Sequence, residues 1–286
     1  MRVSSEFLGR NLGVFLNGQG GFGDRETTSR EIGFEFYTAG VTLGADYRFT
    51  DQLIVGAAVG YISANGEFAA PGGDFTMRRV TLSVFGTYYL ADKFYMDAIF
   101  TCGWDDYKTT RKVSGADLSA RGDTDGTQLA LSASGGYNFK IAGLSLGPYV
   151  RATYIDAFVD NFRERGADTF NIDVGSQKVK SFTTDLGGQA YYAISMPWGV
   201  LTPSISAEWE HEYEGGSRLL TGRAVIDPGL VFSARTDDPD RDYFNLGVGL
   251  VATFKGGWAA FVHYETVVVR ANIADHRFTA GIRLEF

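Results

Sequence analysis

Three histidines, one cysteine and three glycine-rich patterns are the residues from which a catalytic reading of this chain would start. Gly18-x-Gly20-x-x-Gly23 and Gly247-x-Gly249-x-x-Ala252 have the spacing of a dinucleotide-binding turn, which needs a strand, a tight turn and a helix N-terminus at the pyrophosphate. Asp24 to Glu31 is a polar stretch without helical period, and Gly247 falls in mid-strand, so both patterns read as glycines packed in strands. Gly143-Leu144-Ser145-Leu146-Gly147 has the form of a hydrolase nucleophile elbow, a sharp strand-to-helix turn. Leu144, Leu146, Pro148 and Val150 instead continue one face of a strand, which leaves Ser145 as an inward strand serine. His211, His263 and His276 lie on different strands, and no pair of them has metal-ligand spacing on one element. Cys102 shares the parity of Phe94, Met96, Ala98 and Phe100 and behaves as a small hydrophobe. The residues point to no cofactor and no metal.

The elements that hold these residues are strands almost throughout. The chain has 286 residues with 37 Gly, 15 Tyr and 22 Phe but only 6 Pro, and a net charge of −8 that argues against a nucleic-acid partner. A mean hydropathy of −0.08 comes with no apolar run near the roughly 18 to 20 residues of a spanning helix. Met1 is followed by no recognisable secretory signal, so the chain reads as either cytoplasmic or a fragment. Apolar residues recur at every second position: Val41, Leu43, Ala45, Tyr47, Phe49; then Leu129, Leu131, Ala133, Gly135, Tyr137; then Phe244, Leu246, Val248, Leu250, Ala252, Phe254.

Marking each such stretch predicts twelve strands, near 12–22, 34–50, 52–66, 76–90, 93–108, 126–140, 143–160, 178–196, 199–214, 241–255, 258–269 and 275–286. These are far longer than the roughly 5 to 6 residues usual in soluble domains and reach or exceed the roughly 9 to 11 of a tilted membrane strand. Tight turns follow every even strand, at Thr50-Asp51, Ala91-Asp92, Ile141-Ala142, Pro197-Trp198 and Gly256-Gly257. Longer polar loops follow odd strands, including 24–33, 109–125, 161–177 and 215–240. Such an alternation puts all turns at one end of an up-and-down meander and the long loops at the other.

The second face of the strands carries Asp46, Arg48, Asp97, Arg151, Asp185, Gln189, Glu208, Glu210, Glu265, Arg283 and Glu285. A dry core cannot hold so many charges, whereas a water-filled lumen inside a lipid-facing barrel can. Aromatics at the run ends, Tyr47/Phe49, Tyr137/Phe139, Tyr192, Trp198, Trp258 and Trp209/Tyr213, read as two interfacial girdles. The predicted fold class is thus all-β: a twelve-stranded antiparallel up-and-down transmembrane β-barrel.

Several segments resemble one known family, the C-terminal translocator domain of classical autotransporters in type V secretion. They are Val14-Phe15-Leu16-Asn17-Gly18, the run from Gly40 to Phe49, Gly56 to Tyr61, Trp209-Glu210-His211-Glu212-Tyr213, Asp240 to Gly247, and the ending Thr279 to Phe286. The resemblance covers about Leu12 to Phe286. It implies that residues 12–286 form a monomeric barrel in the bacterial outer membrane, with short turns and both barrel termini in the periplasm and long loops outside. It implies partners as well: outer-membrane lipid, the barrel-assembly machinery, and an N-terminally fused passenger with a linker helix that occupies the lumen. Residues 1–11 would then be a residual linker, and signal peptide and passenger would lie upstream. Phe278, Ile282, Leu284 and Phe286 look like the C-terminal assembly signal, and the ten residues from Asp46 to Arg283 named above line the pore. Nothing in this reading catalyses a reaction. The competing expectations are a stand-alone porin-like or adhesive barrel and an outer-membrane barrel hydrolase using His211 or His276 at the rim.

Overall fold

The computed structural model describes residues 11–70, 72–90, 93–141 and 143–286. Most of the segment expected to be a residual linker, and the turn residues Ala91, Asp92 and Ala142, lie outside the described residues. Twelve long strands form the fold: β1 (Leu12–Arg25), β2 (Phe34–Arg48), β3 (Leu53–Phe68), β4 (Gly73–Leu90), β5 (Phe94–Lys112), β6 (Ser119–Tyr137), β7 (Leu144–Val159), β8 (Gln177–Tyr192), β9 (Gly199–Glu212), β10 (Asp242–Phe254), β11 (Trp258–Val268) and β12 (Ile273–Glu285). Each pairs antiparallel with its neighbours in chain order, and β12 pairs with β1 from Glu285↔Gly13 to Ile273↔Arg25, which closes the barrel. Closure satisfies the backbone of every strand and removes the open edges that a membrane would not tolerate.

The alternation seen in the sequence sorts the side chains by face. Val41, Leu43, Val59, Val84, Leu131, Leu186, Ile205 and Val248 point outward and stay exposed, because no protein layer covers them. The buried positions are largely polar, among them Asp46, Asp105, Ser145, Thr183, Asp185, Glu208 and Asn245. This is the inverse of a soluble core and the pattern of a barrel whose outside is greasy and whose inside is wet. Cys102 pairs with outward Leu82 and Leu129, and Ser145 is buried on the inner face, each as its parity requires.

Three parts of the loop end differ from expectation. The loop expected over 109–125 shrinks to 113–118, closed by the Val113 N–H donating to the Leu118 carbonyl, because β5 and β6 run on past the apolar band. β1 likewise continues to Arg25. Both faces of these extensions are in water, so the apolar alternation that marks a strand elsewhere disappears while the backbone ladder continues. The connections expected as longer polar loops over 161–177 and 215–240 hold a second, four-stranded sheet. It is built from Phe162–Arg163, Ile172–Val174, Leu219–Ala224 and Val231–Arg235. At the turn end, short pieces Phe139–Ile141 and Ile194–Met196 extend the hairpins beyond breaks at Asn138 and Ala193. Gly256 and Gly257, with φ of 92° and 90°, supply the left-handed turn between β10 and β11.

Candidate functional site

The inner surface is built strand by strand from every second residue, and the charges expected there meet one another across ladders. Near the turn end Asp46 on β2, 5% exposed, accepts a bidentate pair from Arg283 on β12, reaching over β1, with Nη2 to Oδ1 at 2.8 Å. Gly13 on β1 makes this reach feasible: a Cβ there would collide with the Arg283 guanidinium. Arg283 Nε also donates to Glu285 at 3.1 Å, and Arg48 shares the inner parity of β2, half-buried.

At mid-height Arg151 on β7 donates to both oxygens of Glu208 on β9 at 3.3 and 3.4 Å, passing over β8, where Asp185 lies 3.9 Å from it. The Tyr149 hydroxyl donates to the same Glu208. Asp97 on β5 accepts from Thr87 at 2.6 Å and Ser134 at 3.2 Å. Asp97, Arg151, Gln189, Glu208, His263 and Glu265 surround one cavity of about 280 Å³. They come from five strands between β5 and β11, so the cavity is part of the barrel interior and not a surface crevice. Toward the loop end Glu210 accepts from Tyr243 at 2.6 Å and Asn245 at 2.8 Å, and Glu265 pairs with Arg277 at 3.2 Å.

Several inner residues escaped the sequence reading. Arg79 pairs with Asp105 through two hydrogen bonds at 2.5 and 3.1 Å, with Tyr107 donating to the same carboxylate. Glu212 accepts from Ser181 and from the Phe182 backbone N–H. All of these share the inner parity of their strands, so the same alternation held the signal. The inward aromatics are harder to read. Phe15 and Phe85 meet at 5.9 Å, seated over Gly44 and Gly56, whose absent side chains leave room for the rings. Phe34, Phe36, Phe68 and Phe75 pack together near the loop end.

On the outer surface, Phe278, Ile282 and Leu284 run down β12 to Phe286 just beyond its end, and Ile282, Leu284 and Phe286 line a groove of about 270 Å³ with Leu16, Leu43 and Trp258. Phe286 is stitched to the first strand: its N–H donates to the Leu12 carbonyl at 2.8 Å. Trp198 packs on Phe254 at one end, and Trp209, His211, Tyr213 and Phe182 cluster at the other, so aromatics mark both edges of the apolar band. The histidines differ in setting. His211 bonds Asp242 at 2.8 Å on the outer rim, His276 bonds Tyr264 and Thr266, and His263 faces inward, 3.9 Å from Glu265. Among the described residues no serine, threonine or cysteine is hydrogen-bonded to His211, so its pairing with Asp242 lacks the nucleophile of a triad.

The autotransporter β-domain family profile matches residues 14–265. The chain belongs to the autotransporter β-domain family. Its likeness to Esterase EstA of Pseudomonas aeruginosa is 30% identity over 213 residues, covering 72% of this chain and 32% of that protein. The chain thus spans about a third of the length of the curated relatives it matches. Among solved structures, the translocator domain of autotransporter NalP from Neisseria meningitidis superposes with a TM-score of 0.80 at 18% identity, over 96% of this chain and 88% of that one. The transport unit of autotransporter AIDA-I from Escherichia coli superposes with a TM-score of 0.77 at 15% identity, over 100% and 93%. At such identities the superpositions speak for the fold: this is a twelve-strand autotransporter barrel, a structure of the outer membrane.

Proposed function

We propose that this autotransporter barrel inserts in the outer membrane as a monomer and lets a polypeptide fused to its N-terminus reach the cell surface through the polar interior. The observation that carries the reading is the pairing of a polar, charged interior with a first strand that begins at the turn end. A chain joined ahead of Leu12 starts at one mouth of the barrel and has a wet path to the other. On this reading the turn end and both termini face the periplasm and the long connections face outward. Asp46, Arg48, Asp97, Arg151, Asp185, Gln189, Glu208, Glu210, Glu265 and Arg283 line the passage. Acid–base pairing among them keeps the wall polar, and the inward rings of Phe15 and Phe85 lie packed over Gly44 and Gly56. The outward side chains Phe278, Ile282, Leu284 and Phe286 serve as the mark read by the barrel-assembly machinery.

The barrel itself performs no reaction in this proposal. The esterase name of the relative from Pseudomonas aeruginosa belongs to a protein of which the match covers 32%, and it is not carried to these residues. The experiment is a fusion of a signal peptide and a protease-sensitive reporter ahead of Leu12, expressed in a Gram-negative host. Reporter shaved by protease added to intact cells supports translocation. Reporter that stays protected while the barrel shows heat-modifiable migration refutes it.

A further inference from the structure

The connection between β9 and β10 is bound at two places that are opposite on the ring. Its hairpin pairs with Ile172–Val174 in the β7–β8 connection through Gly222↔Val174. A few residues later, Asp237 is bound to the β1–β2 connection: it accepts from Thr28 Oγ1 at 2.7 Å and from Arg25 Nη2 at 3.1 Å, and its N–H donates to Glu31 at 2.9 Å. Arg25 is also bonded to Glu31, and Arg30 lies 3.6 Å from Asp238. The Ala271 N–H in the β11–β12 turn donates to Asp240 at 2.7 Å, fixing the same segment from a third side.

The β7–β8 and β1–β2 connections are six strands apart on a ring of twelve. Two ladder spacings and, perpendicular to them, five extended residues put Asp237 roughly 20 Å from Val174. Half the circumference of such a ring is roughly 38 Å and its diameter roughly 24 Å, from a strand spacing of about 4.8 Å and a tilt of about 40°. The segment is too short to follow the rim and takes the chord over the mouth. Beneath it lies a cavity of about 660 Å³, lined by Arg25, Glu31, Lys180, Glu212, Tyr243 and Arg270 among others.

We infer that the β9–β10 hairpin, residues 217–238 held together from Leu219↔Arg235 to the Ser217 N–H bond to Asp238, forms a strap across the loop-end mouth and that the Arg25–Thr28–Glu31–Asp237 knot is its latch. Latched, the strap narrows the mouth when no chain occupies it; released, it swings on its pairing with Ile172–Val174 and clears the opening. The Asp237 anchor is held by side chains and one backbone N–H, while the hairpin is held by a backbone ladder, so the anchor at Asp237 is the end that lets go. The inference leans on the translocator reading only for what passes through the opened mouth; the gating itself needs no passenger.

The test uses the full chain, refolded and reconstituted in planar lipid bilayers, with heat-modifiable migration as the check of folding. In a Cys102→Ser background, Thr28→Cys with Asp237→Cys replaces the latch by a disulfide that forms on oxidation and opens with a reductant. The expected result is efficient crosslinking, a quiet low-conductance channel when oxidised, and a rise of about tenfold in the ratio of open to closed time on reduction. Asp237→Asn alone, which adds no crosslink, raises open time in the same direction. The inference is overturned by failure of the two cysteines to crosslink in folded barrel, or by conductance that is the same oxidised and reduced and the same in Asp237→Asn as in the native chain. A latch that gates as described together with a reporter fusion that is never exported would leave the strap standing and remove the translocator reading instead.

Discussion

Placing an arginine at Val248 sets the lipid-facing surface against the interior. Val248 is the central residue of β10, 53% exposed, flanked on its neighbours by outward Ile205 and Tyr264. Six residues on either side, at about 3.4 Å each and a tilt of about 40°, put it some 15 Å below and above the strand ends, close to the middle of an apolar band about 25 Å tall. An arginine at the midplane of an outer-membrane barrel costs about 2 to 4 kcal/mol. At about 1.36 kcal/mol per factor of ten this is a loss of roughly 30- to 900-fold in the folding equilibrium. The control is Gln189→Arg, which adds the same side chain to the wall of the inner cavity, where water is available. The assay is reversible denaturant unfolding in lipid vesicles followed by tryptophan fluorescence. A cost under about 0.5 kcal/mol for Val248→Arg, or a larger cost for Gln189→Arg, would mean that the two faces are assigned the wrong way round.

Other substitutions probe the interior and the loops. Gly44→Ala sets a methyl against the Phe15 ring and should cost about 1 to 3 kcal/mol in the same unfolding assay, with part of the loss recovered by Phe15→Leu in the double variant. Arg283→Met leaves the buried Asp46 carboxylate without its cation and should destabilise by about 1 to 3 kcal/mol. Glu265→Gln, on the cavity wall, should change single-channel ion selectivity while leaving the unfolding midpoint in place. Hydrogen bonds from Thr28 hold the Asp237 carboxyl below the usual carboxylate range, with Arg25 adding to the effect. A carboxyl held low in the folded state stabilises it above its unfolded pKa, near 3.9, and loses that contribution as pH falls through the lower folded value. The protection factors of the strap amides, observed exchange corrected for the intrinsic rate at each pH, should therefore be unchanged between pH 8 and about 5 and fall only in stronger acid.

The barrel was readable because lipid imposes a rule on every residue of the outward face. Expected and observed bounds agree within a few residues for strands such as β2, β7 and β10, where Val41, Leu43 and Ala45 or Phe244, Leu246 and Val248 leave no doubt about parity. β6 begins at Ser119 and not near 126 because Arg121, Asp123 and Asp125 sit above the apolar band, where alternation has nothing to enforce it. The loop sheet was invisible for a different reason. Its strands are two to six residues long and their partners lie in another connection, so Ile172–Val174 becomes a strand only when Leu219–Ala224 is beside it. For the interior, parity identified which residues face inward but not which ones meet. Arg283 reaches Asp46 across an intervening strand, and Arg151 reaches Glu208 in the same way, contacts fixed by barrel curvature and by glycines such as Gly13.

The seam between β1 and β12 also fixes an order of events. Ten of the twelve strand pairings join consecutive strands through connections of under about twenty residues, and β9–β10 through one only somewhat longer, whereas the seam brings Leu12 to Phe286 across almost the whole chain. Every hairpin is available as soon as its own two strands have been synthesised; the seam is available last, when the ribosome has delivered β12. Until then there is a curled sheet and no enclosed passage. On the translocator proposal, any polypeptide encoded ahead of β1 is consequently finished long before its conduit exists, and has to wait, unfolded enough to be threaded, for the strand that is made at the other end of the message.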